Sequence, residues 1–207
     1  MKRLSVLRVW LLSFVLCTAA AAISFKHLDI PLAVHFWSAG RLLSPMGEAL
    51  GAGIVLLLEA LVVLVLVITR VVRGHLSPLG EALAIACLSS ISTYGINAEV
   101  LKPFFGVPDP LAMMAGARHA FHFLMGSARS SFPSGHMVLA GAFAGVFMRL
   151  YRASVWPLTA LLLIAAALLV VGVWHFVSDV IEGAFVGVSA GLLAGEAWIV
   201  HSKGAGW

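Results

Sequence analysis

Two short polar islands interrupt a chain that is otherwise largely hydrocarbon. The first reads Ser131-Phe132-Pro133-Ser134-Gly135-His136, the second His175-Phe176-Val177-Ser178-Asp179. His175 and Asp179 are spaced i, i+4, so on a helix the carboxylate reaches one imidazole nitrogen. That contact fixes the tautomer and raises the basicity of the opposite nitrogen, which then serves as nucleophile or base. His136 can supply the complementary general acid. Ser134 and Gly135 immediately precede an apolar stretch of helical length. The first turn of a helix carries unpaired N–H donors and a positive dipole end, so a turn there can hold a phosphate oxygen. Each island alone has a plainer explanation: an N-cap by Ser134, and an interfacial His–Asp pair. Together they describe a phosphate-handling site.

The elements that must position these residues follow from composition. The chain is 61% hydrophobic and 11% charged, with a mean hydropathy of +1.05. Soluble domains are about half apolar and about a quarter charged, so the composition marks an integral membrane protein. A spanning helix needs about 20 mainly apolar residues. Six segments meet or approach this length, at roughly 9–25, 51–69, 79–100, 136–151, 154–174 and 180–200. The expected fold is therefore all-α, a polytopic bundle of six transmembrane helices forming a single domain over residues 1–207. The eight prolines lie in or near the connectors. The fourth span is the shortest and the third carries Ser89, Ser90, Ser92, Thr93 and Asn97, so both are expected inside the bundle. The first stretch, with Lys2, Arg3 and Arg8 before an apolar run, is read as a retained helix rather than a cleaved signal.

The net charge of +4 points to anionic lipid rather than nucleic acid, because Lys and Arg cluster at span ends. Cys17 and Cys87 fall inside apolar runs and imply no disulfide. With the N-terminus inside, the cytoplasmic ends hold Lys2, Arg3, Arg8, Arg70, Arg73, Arg149, Arg152 and Lys203, and the opposite side holds Lys26, Arg41, Lys102, Arg118 and Arg129. This puts Lys102 and both polar islands on one, outer face. The expected location is a bacterial inner membrane with the site facing the periplasm. Gly183, Gly187, Gly191 and Gly195 form a stripe along the sixth span, expected to pack within the chain, with a homodimer seam as the alternative. Glu59 stands near the middle of the second span with no partner evident from sequence. His119 and His122 are read as interfacial.

The set Lys102, Ser131-Phe132-Pro133-Ser134-Gly135-His136 and His175-x-x-x-Asp179 resembles the type-2 phosphatidic acid phosphatase superfamily. The resemblance covers roughly residues 50–200. It implies that His175 attacks phosphorus to give a phosphohistidine, that Asp179 orients it, and that His136 protonates the leaving group. Lys102, Ser134 and the Gly135 N–H would bind phosphoryl oxygens, and neither metal nor cofactor is implied. Two departures stand out. The family's first motif runs from a lysine through six residues to Arg-Pro, whereas here Asp109-Pro110 follows Lys102, and Val107 takes a further arginine position. The third motif's Ser-Arg is replaced by Leu168 and Leu169. Loss of one transition-state donor commonly costs about 10²–10³ in rate. Arg118 or Arg129 can restore the charge from new positions, or Asp109 can contact a cationic or hydroxylated headgroup on a less charged substrate. The expected activity is hydrolysis of a lipid phosphate or polyprenyl (pyro)phosphate at the outer face. A phosphoryl or phospho-headgroup transferase and a non-catalytic lipid-binding relative are the alternatives.

Overall fold

The computed structural model describes residues 2–40 and 45–204, with side chains placed for 7–38 and 51–202. It is 81% helix, with no strand among the described residues. In chain order the helices are α1 (Lys2–His27), α2 (Asp29–Gly40), α3 (Pro45–Arg73), α4 (Pro78–Ile96), α5 (Lys102–Phe105), α6 (Pro110–Met114), α7 (Gly135–Leu150), α8 (Val155–Val171) and α9 (Val177–Gly204). Among the described residues five runs are long and apolar enough to cross a membrane: Leu7–His27, Gly51–Arg73, Pro78–Met114, Arg152–Val171 and Val177–Ser202. The remaining expected span, the fourth, is the shorter apolar helix Gly135–Leu150. The protein is thus an all-helical polytopic membrane protein.

Helix starts follow local chemistry. Ser77 caps α4 by accepting the Gly80 N–H at 3.1 Å, with Pro78 in the first turn where its missing N–H costs nothing. Asp109-Pro110 repeats the arrangement at α6. Two features were not legible beforehand. The connector after α1 contains α2, whose Ala33, Phe36 and Trp37 pack on Val173 and Phe176 beside the second polar island. And α4 does not stop at Ile96: Asn97–Leu101 widens into a π-turn before α5, a distortion that recurs at functional sites.

The spans alternate in direction. Trp10 Nε1 donates to Ser189 Oγ at 3.2 Å and Phe14 meets Phe185 at 5.7 Å, so α1 runs antiparallel to α9. The Tyr151 hydroxyl, at the end of α7, reaches Pro78 O at the head of α4. α7 and α9 run parallel and in close contact, because the glycine stripe faces α7. A Cβ on Gly183 would lie 2.6 Å from Ser134 O, one on Gly187 2.5 Å from Val138 O, and one on Gly191 would collide with Ala142 O. From the other side, a Cβ on Gly145 would lie 2.7 Å from Val188 O. The stripe thus packs within the chain, and the face considered for a dimer seam is already covered by α7. Glu59 is buried on α3, and its Oε2 meets no hydrogen-bond partner among the described residues.

The alternation gathers the end of α1, the start of α3, the end of α4, and the heads of α7 and α9 at one end of the bundle. Arg70, Arg73, Arg149 and Arg152 lie at the other. Lys2, Arg3, Arg41 and Lys203 fall outside the residues whose side chains are described.

Candidate active site

The second island is built at the α8–α9 junction. Beyond Val171 the chain turns through Gly172 and Val173, which adopts φ +57°. The N–H groups of Trp174 and His175 both donate to Leu169 O, at 3.0 and 3.2 Å. His175 therefore precedes α9, and Asp179 sits in its first turn. The expected helix-face pair is in fact a helix-head pair. Asp179 Oδ2 accepts the Phe176 N–H at 2.8 Å and the Ser131 hydroxyl, and lies 3.4 Å from His175 Nδ1. Ser131 Oγ also stands 3.3 Å from that Nδ1. A carboxylate anchored by a backbone amide and a hydroxyl at the positive end of α9 is a fixed acceptor for Nδ1–H. The bare Nε2 is then directed away from it.

The first island supplies what Nε2 faces. Ser134 caps α7, its Oγ accepting the Met137 N–H at 3.4 Å, and His136 follows in the first turn. His136 Nδ1 lies 3.4 Å from His175 Nε2, with the rings near-perpendicular at 69°. The turn is held on three sides: Ser131 N–H donates to Val107 O at 2.7 Å, Ser134 N–H to Asp179 O at 3.0 Å, and Asn97 Nδ2 to Pro133 O at 3.2 Å. The Phe132-Pro133 peptide is cis. At Gly135 a Cβ would lie 2.9 Å from Tyr94 Cε2, so glycine is required for the close approach of α4. The His175 side chain is 1% exposed and that of Asp179 0%, while His136 is half-buried. His136 is flanked by Gly51 of α3, whose Cβ position is 3.5 Å from Nε2, and by Trp174 at 6.1 Å.

Other expected site residues fall into two groups. Lys102 is buried at the start of α5, in the segment tied to the 122–126 stretch: Gly126 N–H donates to Pro103 O at 3.1 Å and His122 N–H to Phe105 O at 3.0 Å. Asp109, by contrast, caps α6 through the Ala112 N–H at 2.6 Å. Arg118 and Arg129 are exposed on the connector between α6 and α7. Of the positions where the resemblance leads one to expect arginine, one holds Asp109 and the other two are filled with hydrocarbon. Val107 is 0% exposed and Leu169 is 6% exposed against Met137 and Val180. Leu168 faces outward. Among the described residues no cluster of three or more His, Cys, Asp or Glu side chains is placed to hold a metal ion.

A cavity of about 510 Å³ runs beside the turn, between α1, α5 and α9, lined by Phe25, Phe105, Phe121, Phe132, Phe185 and Glu182.

Sequence reasoning missed two things. Ser131 carried no assigned role, although its place at the head of the motif was visible. His119 was expected at the interface, yet its side chain is 3% exposed and its Nε2 lies 3.3 Å from Asp29 Oδ2. No local pattern signals a contact between such distant segments.

Neither a curated protein nor a solved structure matches the chain. A family model described as the PAP2 superfamily matches residues 82–200, a stretch that begins within α4 and ends within α9. That stretch contains Lys102, the whole 131–136 turn, and His175 with Asp179, the residues now seen to converge at one end of the bundle. On this match the chain belongs to the PAP2 superfamily of phosphatases and phosphotransferases.

Proposed function

We propose that this protein hydrolyses a lipid phosphate or a polyprenyl (pyro)phosphate at the outer face of its membrane, through a phosphohistidine intermediate. The observation that carries the reading is the line Asp179–His175–His136, with 3.4 Å at each imidazole contact. Asp179 holds Nδ1–H of His175, and Nε2 attacks phosphorus. The P–O bond to the lipid breaks as His136 gives its proton to the leaving oxygen. Water then attacks the phosphohistidine, with His136 taking the proton back as general base. The two nitrogens stand at hydrogen-bond distance, so a phosphoryl group must part them. His136, being half-buried, is the ring that yields.

Lys102, Ser134 and the Gly135 N–H are the assigned holders of phosphoryl oxygens. Charge-assisted bonds of this kind are worth about 1.5–3 kcal/mol each. Arg118 and Arg129 add charge from the surface, and Asp109, at the head of α6, is assigned to a cationic or hydroxylated headgroup. The aromatic cavity beside Phe132 and Pro133 supports a substrate with a hydrocarbon chain, since 510 Å³ falls within the range of pockets that take organic ligands. The excess of Lys and Arg at the opposite end of the bundle supports an outward, periplasmic site in a bacterial inner membrane.

One observation favours a second reading, a phosphotransferase. With Val107 and Leu169 packed in hydrocarbon, the site carries less positive charge for a dianionic monoester and suits a phosphodiester better. Product analysis decides between them. Purified protein is given radiolabelled phosphatidic acid or a labelled polyprenyl phosphate. Free phosphate supports hydrolysis, label on an alcohol acceptor supports transfer, and saturable binding without turnover overturns both.

A further inference from the structure

The head of α9 carries a second Asp–His pair that the chemistry above does not use. Asp29, the first residue of α2, has a side chain that is 0% exposed. Its Oδ1 accepts the Ser178 N–H at 3.1 Å and its Oδ2 accepts the Ser178 hydroxyl at 2.5 Å. His119 Nε2 stands 3.3 Å from the same Oδ2, a close approach between two buried side chains. The His119 ring lies against Phe25 at 4.2 Å and against Phe176 at 4.3 Å. Phe176 follows the proposed nucleophile, and Ser178 precedes the residue that orients it.

The physical need for this pair is visible in the backbone. Phe176, just ahead of α9, has no side-chain acceptor with which to cap the helix. Two carboxylates take over the task. Asp179 accepts the Phe176 N–H from within the turn, and Asp29 accepts the Ser178 N–H from 149 residues away. A carboxylate buried this deeply is costly unless compensated. The α9 dipole and the two Ser178 donors provide that compensation, with the His119 imidazole packed beside them. His119 belongs to the connector that leads into the 131–136 turn, so three pieces meet at one carboxylate: the α1–α2 corner, that connector and the head of α9. Through Phe176 and Ser178 they fix the peptide on both sides of the His175–Asp179 pair.

We infer that Asp29 and His119 are a positioning pair for His175, setting the register of the α9 head so that Nε2 points at His136. The inference rests on His175 being the nucleophile. Asp29 lies outside the matched stretch 82–200, whereas His119 lies within it.

The test compares full-length Asp29→Asn, His119→Gln, the double variant and His175→Ala, assayed on radiolabelled phosphatidic acid in mixed micelles with thermal midpoints measured in parallel. Misplacing a reacting group by about 1 Å can cost on the order of 10²-fold in rate. Each single variant is therefore expected to lose roughly tenfold to 10²-fold in kcat, with KM within about twofold. The double variant should be no worse than the poorer single, because the two side chains act as a unit. Wild-type kcat in the folded Asn and Gln variants overturns the inference. A loss of rate that only tracks the unfolded fraction at the assay temperature does so too, as does full additivity in the double variant. His175→Ala separates the two levels. If it remains active, the nucleophile assignment fails. If it is inactive while Asp29→Asn and His119→Gln match wild type, only the positioning role fails.

Discussion

Ser134 donates its backbone N–H to the carbonyl oxygen of Asp179 across 3.0 Å, so the residue that caps α7 and the residue that orients His175 are joined through the main chain. Only helices in near-backbone contact can make such a bond. The glycine stripe continues it, beginning at Gly183, whose Cβ would lie 2.6 Å from Ser134 O. Close parallel packing of α7 and α9 is what brings His136 to His175.

The packing of these two helices should therefore be inseparable from activity. Gly191→Leu puts a side chain where even a Cβ would collide with Ala142 O. Overpacking of this kind costs about 1–3 kcal/mol or more. The expected result is a lower thermal midpoint in detergent together with loss of turnover. Gly53→Leu is the control, since nothing lies within 4 Å of its Cβ position, and it should change neither.

Substitutions along the imidazole line should fall in a fixed order. His175→Ala is expected to remove turnover and to prevent capture of label on the protein. Asp179→Asn should reduce kcat on the order of 10²–10⁴-fold by weakening control of the tautomer. Ser131→Ala removes one bond to that carboxylate and should cost less, roughly tenfold, in line with about 1–1.5 kcal/mol for a single hydrogen bond. A Ser131→Ala loss exceeding that of Asp179→Asn would reverse the assigned hierarchy. Steady-state phosphate release and acid quenching of the labelled intermediate provide the measurements.

The cations should divide by burial. Lys102 is buried, and its replacement by methionine is expected to lower kcat by about 10²–10³, as for loss of a transition-state donor. Arg129 is exposed and should act on encounter and headgroup binding. Arg129→Ala is expected to raise KM several-fold, an effect that fades with added salt because surface charges are screened within about 10 Å at 0.1 M. A kcat defect in Arg129→Ala as large as that of Lys102→Met would move Arg129 into the site.

Sidedness is open to a labelling test. Ala128 is exposed at the site end and His201 at the opposite end. A cysteine at Ala128 should react with an impermeant thiol reagent added outside intact cells, and one at His201 should not. The reverse pattern would place the site in the cytoplasm.

Sequence alone determined the spans and the two islands. Hydrocarbon runs of membrane length are a local, one-dimensional signal, and the islands stand out against them. The His175/Asp179 pair was also legible, though for a reason that needed amendment. The i, i+4 spacing predicts a helix face, whereas His175 lies ahead of α9 and the carboxylate reaches back to it as part of the helix cap. A Pro-interrupted connector gave no sign of α2, because its helix is stabilised by packing on Val173 and Phe176 rather than by its own periodicity. Only the tertiary structure decided that Ser131 bonds Asp179, that α7 covers the glycine stripe, and that Asp29 and His119 meet behind the nucleophile. Those contacts join residues far apart in the chain, and no local preference encodes them. They arise when alternating helices bring their ends together and buried carboxylates must find donors wherever the bundle places them.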